Sequence, residues 1–579
     1  MQGQRQTRKP VPGPGAIHHG APGFTPLDFQ EISTPMQDLT LVMAQFDPLV
    51  GDIPGNAARA IEAVREARIE HRADVVVFPE LFLSGYPPED LLLRPSLEAR
   101  LDEARATMAE KMARDVLVII GYPGVREGQR YNLAGVLYNG RWEAEYAKQT
   151  LPNRQVFDEQ RYFAPGTQTL VHEHKGVRLG LLICEDLWHE APTDAARAAG
   201  ADAILSLNAS PYHQDKPAER LRLLEARSAG AGCPVVYVNT IGGQDELVFD
   251  GGSCCLDGEG KLAVLAPYWQ PGLMPVQLRR QDSGAWTPGD GEIEPDVDPE
   301  ESLYCALVTG LRDYVNKSGF DGVVLGLSGG IDSAMSLAIA VDALGPQRVR
   351  AVMMPYHYTA DISREDAAQQ ADMLGVHYEV LPIEPVVESF MGTLAGVFEG
   401  TGRDTTEENL QARCRGVLLM ALSNKKGLMV LSSGNKSEIA VGYTTLYGDM
   451  VGGYNAIKDV YKTWVYRLAR WRNAQSPAIP ERVIERPPSA ELAPDQQDSD
   501  SLPDYDVLDA ILQRYIEGDM SAEAIIAVGF DRDDVYRVIK LVDRCEYKRR
   551  QAPVGVRVTP RGFGRDRRYP LVNGWQPGE

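Results

Sequence analysis

Short apolar runs alternate with longer amphipathic stretches along most of this chain, the pattern of strands interleaved with helices. In the first half, residues 39–46, 74–79, 116–120, 132–138, 177–184, 203–207 and 235–239 are predicted as strands. Between the first two, residues 56–70 place Ala57, Ile61, Val64 and Ala67 on one face of a helix. From about 270 to 300 the chain becomes acidic and dense in Gly and Pro, including Pro271, Gly272, Pro275, Pro288 and Pro295. That composition predicts a linker over 276–300, dividing a domain at 38–275 from one at 301–579. A helix over 301–318 follows, then strands near 323–326, 349–354 and 428–431, as expected of a parallel, doubly wound sheet. Residues 485–503 read as a mobile segment, and 504–550 return to amphipathic helix. The fold class is α/β in both halves, the second ending in a helical tail.

Composition narrows the partners. A net charge of −22 argues against nucleic acid, which usually demands a basic face, but leaves room for nucleotides held by local loops. The seven cysteines form no CxxC pair, so neither a zinc ribbon nor a disulfide framework is expected, and a reducing cytoplasm is the natural setting. No window approaches 18 apolar residues, so no membrane span is predicted. Residues 1–37 have no apolar core of a secretory signal. They are expected to be a disordered extension, or to precede a true start at Met36.

The densest chemistry lies at Ser328-Gly329-Gly330-Ile331-Asp332-Ser333, between an apolar strand and the helix that begins around Met335. A turn at such a junction aims backbone N–H groups, at the positive end of a helix dipole, toward one anion. It has no Lys, so it is not the common NTPase cradle. Asp332 would repel a bound phosphate unless Mg²⁺ bridges the two. The pattern resembles the pyrophosphate loop of ATP pyrophosphatases, which implies ATP as substrate and transfer of AMP to an oxygen.

Three residues of the first half sit where loops leave strands: Glu80 after Val-Val-Val-Phe-Pro, Lys148 before Leu-Pro-Asn, and Cys184 ending an apolar run. Each alone has an ordinary structural reading. A Cys ending a strand is commonly a small buried hydrophobe, and Glu and Lys in loops are commonly solvated. Together, in that order, they resemble the nitrilase superfamily, which hydrolyses carbon–nitrogen bonds and implies an α-β-β-α sandwich. The chemistry fits. A thiolate is the strongest nucleophile a side chain offers near neutral pH, Glu80 can take its proton, and Lys148 can face the oxyanion. Glu159 is a candidate to hold Lys148, and Asp158 is equally available.

Four more motifs follow the phosphate loop. Residues 408–416 contain Asn409, Gln411 and Arg415, the last two spaced to share a helix face. Ser432-Ser433-Gly434-Asn435-Lys436-Ser437-Glu438 leaves a strand for a helix, residues 443–453 form a glycine-rich loop with Asp449, and 546–551 form a basic cluster. In this order, with Phe563-Gly564-Arg565-Asp566-Arg567-Arg568-Tyr569, they resemble the glutamine-dependent NAD synthetases, from about Leu39 to Pro570. The resemblance implies that Cys184 releases ammonia from glutamine, and that ATP on Ser328–Ser333 adenylates deamido-NAD⁺ for amidation. It further implies Mg²⁺ on Asp332 and Glu438, and phosphate or ribose contacts from Arg415, Asn435 and Lys436. Asn409, Asp449, Glu491 and Lys548 would contact the nucleotide substrates, and a homo-oligomer is implied. Two other fusions fit less well: tRNA thiolation wants a basic face and paired cysteines, and GMP-type amidation uses a histidine-partnered nucleophile. A nucleotide-binding scaffold without activity would lack one of Glu80, Lys148, Cys184 or Asp332, and all are present.

Overall fold

In a computed structural model of the protein, residues 38–295, 297–487, 492 and 502–575 are described. The expected extension at 1–37 and most of the segment expected to be mobile lie outside them. β1 (Leu39–Gln45) is mostly apolar because both of its faces are buried, with Thr40 and Gln45 its two polar positions. Leu39, Leu41 and Met43 enter one core, and Val42 and Ala44 enter another. Of the next strands, β2 (Val75–Val77) and β3 (Leu117–Arg126) run parallel to it, while β4 (Gln129–Tyr138) and β5 (Arg141–Ala147) turn antiparallel. The outer face of this sheet is covered by α1 (Ile53–Glu70) and α2 (Pro95–Lys111), through residues such as Ala57, Ala60, Val64, Leu101 and Met108.

A second sheet covers the inner face. It contains β6 (Val171–His174), β7 (Val177–Ile183), β8 (Ala203–Asn208) and β9 (Val235–Asn239). Of these, β7, β8 and β9 are parallel, with α3 (Glu190–Ala198) and α4 (Lys216–Ala231) on their outer side. A hairpin of β10 (Ile241–Gln244) and β11 (Leu247–Asp250) precedes β12 (Cys254–Leu256) and β13 (Leu262–Leu265), which finish this sheet. The result is the α-β-β-α sandwich.

The stretch expected as a linker from residue 276 is corrected on its first side. β14 (Gly272–Arg280) pairs antiparallel with all of β1, from Leu39 opposite Leu278 to Gln45 opposite Gly272, and β15 (Trp286–Pro288) extends the same sheet. Pro275 sits in the part of β14 that β15 does not reach, where a missing N–H is tolerated. The Gly and Pro residues there are strand punctuation, not a break between domains.

The second half opens with α5 (Pro299–Lys317) and builds a five-stranded parallel sheet. Its strands are β16 (Gly322–Gly326), β17 (Val349–Met353), β18 (His377–Val380), β19 (Leu428–Ser432) and β20 (Tyr454–Asn455), in the order β18-β17-β16-β19-β20. Helices α5, α6 (Ile331–Leu344) and α7 (Asp361–Leu374) pack on one face. Helices α8 (Glu384–Leu394) and α9 (Thr405–Lys426) pack on the other. Chain order reverses on either side of β16, and a doubly wound sheet binds ligands at the carboxyl ends of strands beside such a reversal. After β19 come α10 (Lys436–Val441) and α11 (Lys462–Gln475), and then a helical tail whose core includes Leu508, Ile525, Val538 and Val542.

The halves are joined by α5, which lies against the β10–β11 hairpin. Asp313 on this helix accepts from the Gly243 N–H at 2.7 Å, and Lys317 Nζ donates to Asp47 Oδ1 at 2.6 Å. The C-terminal strap adds backbone bonds from Gln214 N to Val558 O and from Arg557 N to Glu246 O, both 2.8 Å. Among the described residues no helix is long and apolar enough to cross a membrane.

Two candidate active sites

Strands of both sheets end at one buried charge cluster. Glu80 follows β2 and Lys148 follows β5 in the first sheet, while Cys184 follows β7 in the second. Lys148 Nζ donates to Glu80 Oε1 at 2.7 Å and to Glu159 at 2.9 Å. Of the two acids left open by the sequence, Glu159 is therefore the one that holds Lys148. Asn132 Nδ2 donates to the same Glu80 oxygen at 2.7 Å, and the Ala209 N–H donates to Glu80 Oε2 at 3.1 Å. Cys184 is 7% exposed and opens a tight turn at φ +44°, a left-handed backbone uncommon outside glycine. Strain of that kind persists only where the surrounding structure enforces it.

The electrostatics are those of a sealed site. Burial pushes the Cys184 thiol well up, Glu80 adds to this, and Lys148 opposes it, so the resting thiol holds its proton. Burial also works against the Lys148 charge, but Glu159 and Glu80 outweigh it and keep the ammonium protonated. Burial raises the Glu159 carboxyl to about 7, with Lys148 pulling the other way. Tyr86, which donates to Glu159 Oε1 at 3.2 Å, is held neutral by burial and by these carboxylates. Asn132, Ala209 and Tyr86 were not picked out from the sequence. An Asn or Tyr in an apolar strand or loop carries no local mark of the carboxylate it serves.

The second site is a cavity of about 540 Å³ at the carboxyl ends of β16, β17 and β19. Ser328, Gly330, Ile331, Asp332 and Ser333 line it, and Gly330 caps the N-terminus of α6. Gly329 has φ +83°, and a Cβ there would lie 2.3 Å from the Ser363 carbonyl oxygen, so only glycine fits. Asn409, Arg415, Asp449 and Lys548 also line the cavity. Arg415 Nε donates to the Met354 carbonyl at 3.0 Å, and Lys548 Nζ donates to the Gly442 and Thr444 carbonyls, each at 2.7 Å. Asn409 Oδ1 accepts from Thr445 Oγ1 at 2.8 Å. Burial raises the Asp449 carboxyl to about 6. Gln411, spaced to share a face with Arg415, is buried in α9.

Asp332 and Glu438 do come together, and a residue missed from the sequence stands between them. Lys462 Nζ bonds Asp332 Oδ2 and lies 3.2 Å from Glu438 Oε1. Burial opposes its charge, but the two carboxylates outweigh it. The pair Asn435–Lys436, expected to meet phosphate and ribose, is corrected. Both side chains are fully buried, at 0% exposed. Asn435 caps α10 and donates to Asp332 Oδ1 at 2.9 Å, so it orients the acid instead of lining the cavity. Lys436 turns away, to Glu517 at 2.9 Å, Thr559 at 2.6 Å and Asp459 at 2.9 Å. Glu491 lies outside the described residues.

Comparison with known proteins agrees with this division. The carbon-nitrogen hydrolase family model matches residues 40–288, and the NAD synthase model matches 303–552. A glutamine-dependent NAD(+) synthetase of Acinetobacter baylyi is 50% identical over 549 residues, covering 94% of this chain and 100% of that protein. One from Xanthomonas campestris is 48% identical, covering 93% and 98%. The structure of the Acinetobacter baumannii glutamine-dependent NAD+ synthetase, solved with ADP, is similar at a TM-score of 0.76 and 48% identity, covering 94% of this chain and 100% of that one. That of Cytophaga hutchinsonii, at TM-score 0.79 and 22% identity, covers 93% and 98% and attests the fold alone. By sequence identity across nearly its whole length, the chain belongs to the glutamine-dependent NAD(+) synthetase family.

Proposed function

We propose that Cys184, Glu80 and Lys148 perform the glutaminase half of glutamine-dependent NAD+ synthesis, and that the cavity over Ser328–Ser333 performs the amidation. Cys184 Sγ attacks the side-chain amide carbon of glutamine as its proton passes to Glu80. Two donors occupy Glu80 Oε1, whereas Oε2 receives only the Ala209 N–H, so Oε2 has the lone pair to spare for that proton. The Lys148 ammonium faces the tetrahedral oxyanion, a contribution of about 3 kcal/mol for one well-placed donor. On collapse the leaving nitrogen takes that proton from Glu80 as the C–N bond breaks and departs as ammonia. Water then gives a proton to Glu80 as it attacks the thioester, and the proton returns to the Cys184 sulfur as glutamate leaves. The observation that carries this reading is the sealed Glu80–Lys148 contact of 2.7 Å with Cys184 in its field.

Glutamine itself needs two charges held. Lys216, with Nζ 3.8 Å from the Trp188 ring centroid, and Glu185 both act electrostatically on the Cys184 thiol. They are suited to the α-carboxylate and α-ammonium respectively.

In the second cavity, ATP would lie on the Ser328–Ser333 loop, a reading supported by the ADP bound to the Acinetobacter baumannii relative. The nicotinate carboxylate of deamido-NAD⁺ attacks the α-phosphorus, pyrophosphate leaves, and ammonia then displaces AMP from the acyl carbon. Lys462 neutralises phosphate charge, while Asn409, Arg415, Asp449 and Lys548 contact the nucleotides. Asp332 and Glu438 offer hard oxygen donors on one cavity wall. With Lys462 against Asp332 Oδ2 and Glu438 Oε1, they would hold Mg²⁺, shared with substrate phosphates, through their other oxygens. When bound there, Mg²⁺ would supply charge compensation for the triphosphate. Among the described residues no group of three or more His, Cys, Asp or Glu could hold a metal ion.

The test is NAD+ formation from deamido-NAD⁺, ATP and Mg²⁺ with either glutamine or ammonium, using wild type and Cys184→Ala. The variant should keep ammonium and lose glutamine. Continued use of glutamine would make Cys184 a core residue. Self-association belongs to the same proposal and is read by sedimentation. Residence in a reducing cytoplasm is supported by seven cysteines that are all free.

A further inference from the structure

Asp186 has no part in the chemistry above, yet its carboxylate is fully buried between the two loops that carry it. Oδ1 accepts from the backbone N–H of Gln149 at 3.0 Å and of Thr150 at 2.7 Å, the two residues that follow Lys148. Oδ2 accepts from the N–H of Ile183 at 3.1 Å, the residue before Cys184, and from the Tyr146 hydroxyl at 2.8 Å, two residues before Lys148. Four donors converge on one buried carboxylate, so its burial leaves no oxygen unsatisfied. Lys148 leaves β5 of the first sheet and Cys184 leaves β7 of the second. Strand pairing within either sheet therefore does not fix the distance between the ammonium and the thiol. Sheet-to-sheet packing by apolar side chains sets it only loosely, because such contacts have no direction. A carboxylate bonded to the main chain on both sides does have direction.

We propose that Asp186 is a positioning residue of the glutaminase step, locking the Lys148 loop to the Cys184 turn so that ammonium and thiol meet one oxyanion. This rests on the assignment of Cys184 and Lys148 given above. Catalytic geometry is sensitive at this scale, since a displacement of about 1 Å can cost on the order of a hundredfold in rate. The same displacement need not weaken binding of the substrate, which is held elsewhere in the pocket. Loss of positioning thus appears in kcat and spares KM.

The experiment compares Asp186→Asn and Tyr146→Phe in the full-length enzyme, with Cys184→Ala beside them. Asparagine keeps the shape but sets an NH₂ donor against a donor: if Oδ1 stays on Gln149 and Thr150, the clash falls on the Ile183 N–H. Tyr146→Phe removes one donor and leaves the backbone ties. For Asp186→Asn, glutamine-dependent kcat should fall between about ten- and a hundredfold. Glutamine KM should stay within about twofold, and the ammonium-dependent rate should not change. Tyr146→Phe should show the same split more weakly, about threefold in kcat. Unchanged glutamine kcat in both variants overturns the proposal. So does a rise in KM alone, which would place Asp186 in substrate binding, and so does parallel loss of glutamine and ammonium activity, which would make it a folding residue. If Cys184→Ala still consumes glutamine, the underlying assignment fails, and that result is distinct from a failure of Asp186 alone.

Discussion

Lys148 Nζ lies 2.7 Å from Glu80 Oε1, with the two side chains 0% and 1% exposed. A contact this dry makes the ammonium both a catalytic group and a structural debt. Glu159 completes the cluster at 2.9 Å, so two carboxylates share one cation in the absence of solvent. One proton more or less among these groups decides whether the cluster is balanced.

Removing the cation should therefore cost stability as well as activity. Lys148→Met leaves two buried carboxylates without their partner, and breaking a buried pair from one side typically costs about 3–5 kcal/mol. Glu80→Gln retains an oxygen for Lys148 and Asn132 and should cost less. Both variants are expected to lose glutamine-dependent NAD+ formation, and Glu80→Gln should keep the ammonium-dependent rate. Denaturant unfolding beside the two-donor assay checks this. Equal stability of Lys148→Met and wild type would show that the cluster relaxes when its cation is removed.

The Glu159 carboxyl, raised by burial to about 7, gives a pH signature. Below that value it is protonated and holds Lys148 less firmly; above it the ion pair is complete. Glutamine-dependent kcat/KM should accordingly rise through a midpoint near 7, and Glu159→Gln should flatten that limb at a lower plateau. The linked stability effect has the opposite direction. The folded state retains a proton that the unfolded chain releases above its ordinary value of 4.5, so this contribution is full below 4.5 and is lost as pH climbs toward 7. Melting temperatures of wild type and Glu159→Gln across pH 4–8 should therefore diverge in that window.

The strands were legible because burial on both faces makes β1, β7, β8 and β16 mostly apolar, with few polar positions such as Thr40, Arg178 and Ser206. Cys184, Glu80 and Lys148 were legible because each ends or follows such a run. The linker boundary was misplaced because Gly and Pro report local backbone freedom, whereas the pairing of β14 with β1 spans more than two hundred residues. Lys436 and Lys462 mark the limit most clearly. Each is the first residue of a helix, and each is buried. One turns to the tail and the other to Asp332. Only the tertiary path of the preceding loop separates them.

Gly329→Ala should disable the second cavity selectively. The added Cβ would meet the Ser363 backbone, and the residue would have to hold φ +83°. Neither can relax by a side-chain rotation. The variant should lose NAD+ formation with glutamine and with ammonium alike, while glutamate release from glutamine persists at Cys184. An unaltered KM for ATP would show that the phosphate loop binds its ligand elsewhere.

The two lysines make the sharpest contrast. Lys462→Met removes the cation between Asp332 and Glu438, leaving two carboxylates to face incoming phosphate. Pyrophosphate release and NAD+ formation should fall by on the order of a hundredfold or more, with either nitrogen donor. Lys436→Met should instead destabilise the tail, because Asp459 and Glu517 lose a buried partner, and at permissive temperature its KM for ATP should stay near that of wild type. Chelation of divalent metal with EDTA gives the third arm. It should stop pyrophosphate release in wild type while sparing glutamate release, because the glutaminase chemistry asks nothing of a metal. If Lys436→Met raises the KM for ATP as strongly as Lys462→Met lowers turnover, then Lys436 reaches the phosphates after all, and α10 must shift when ATP binds.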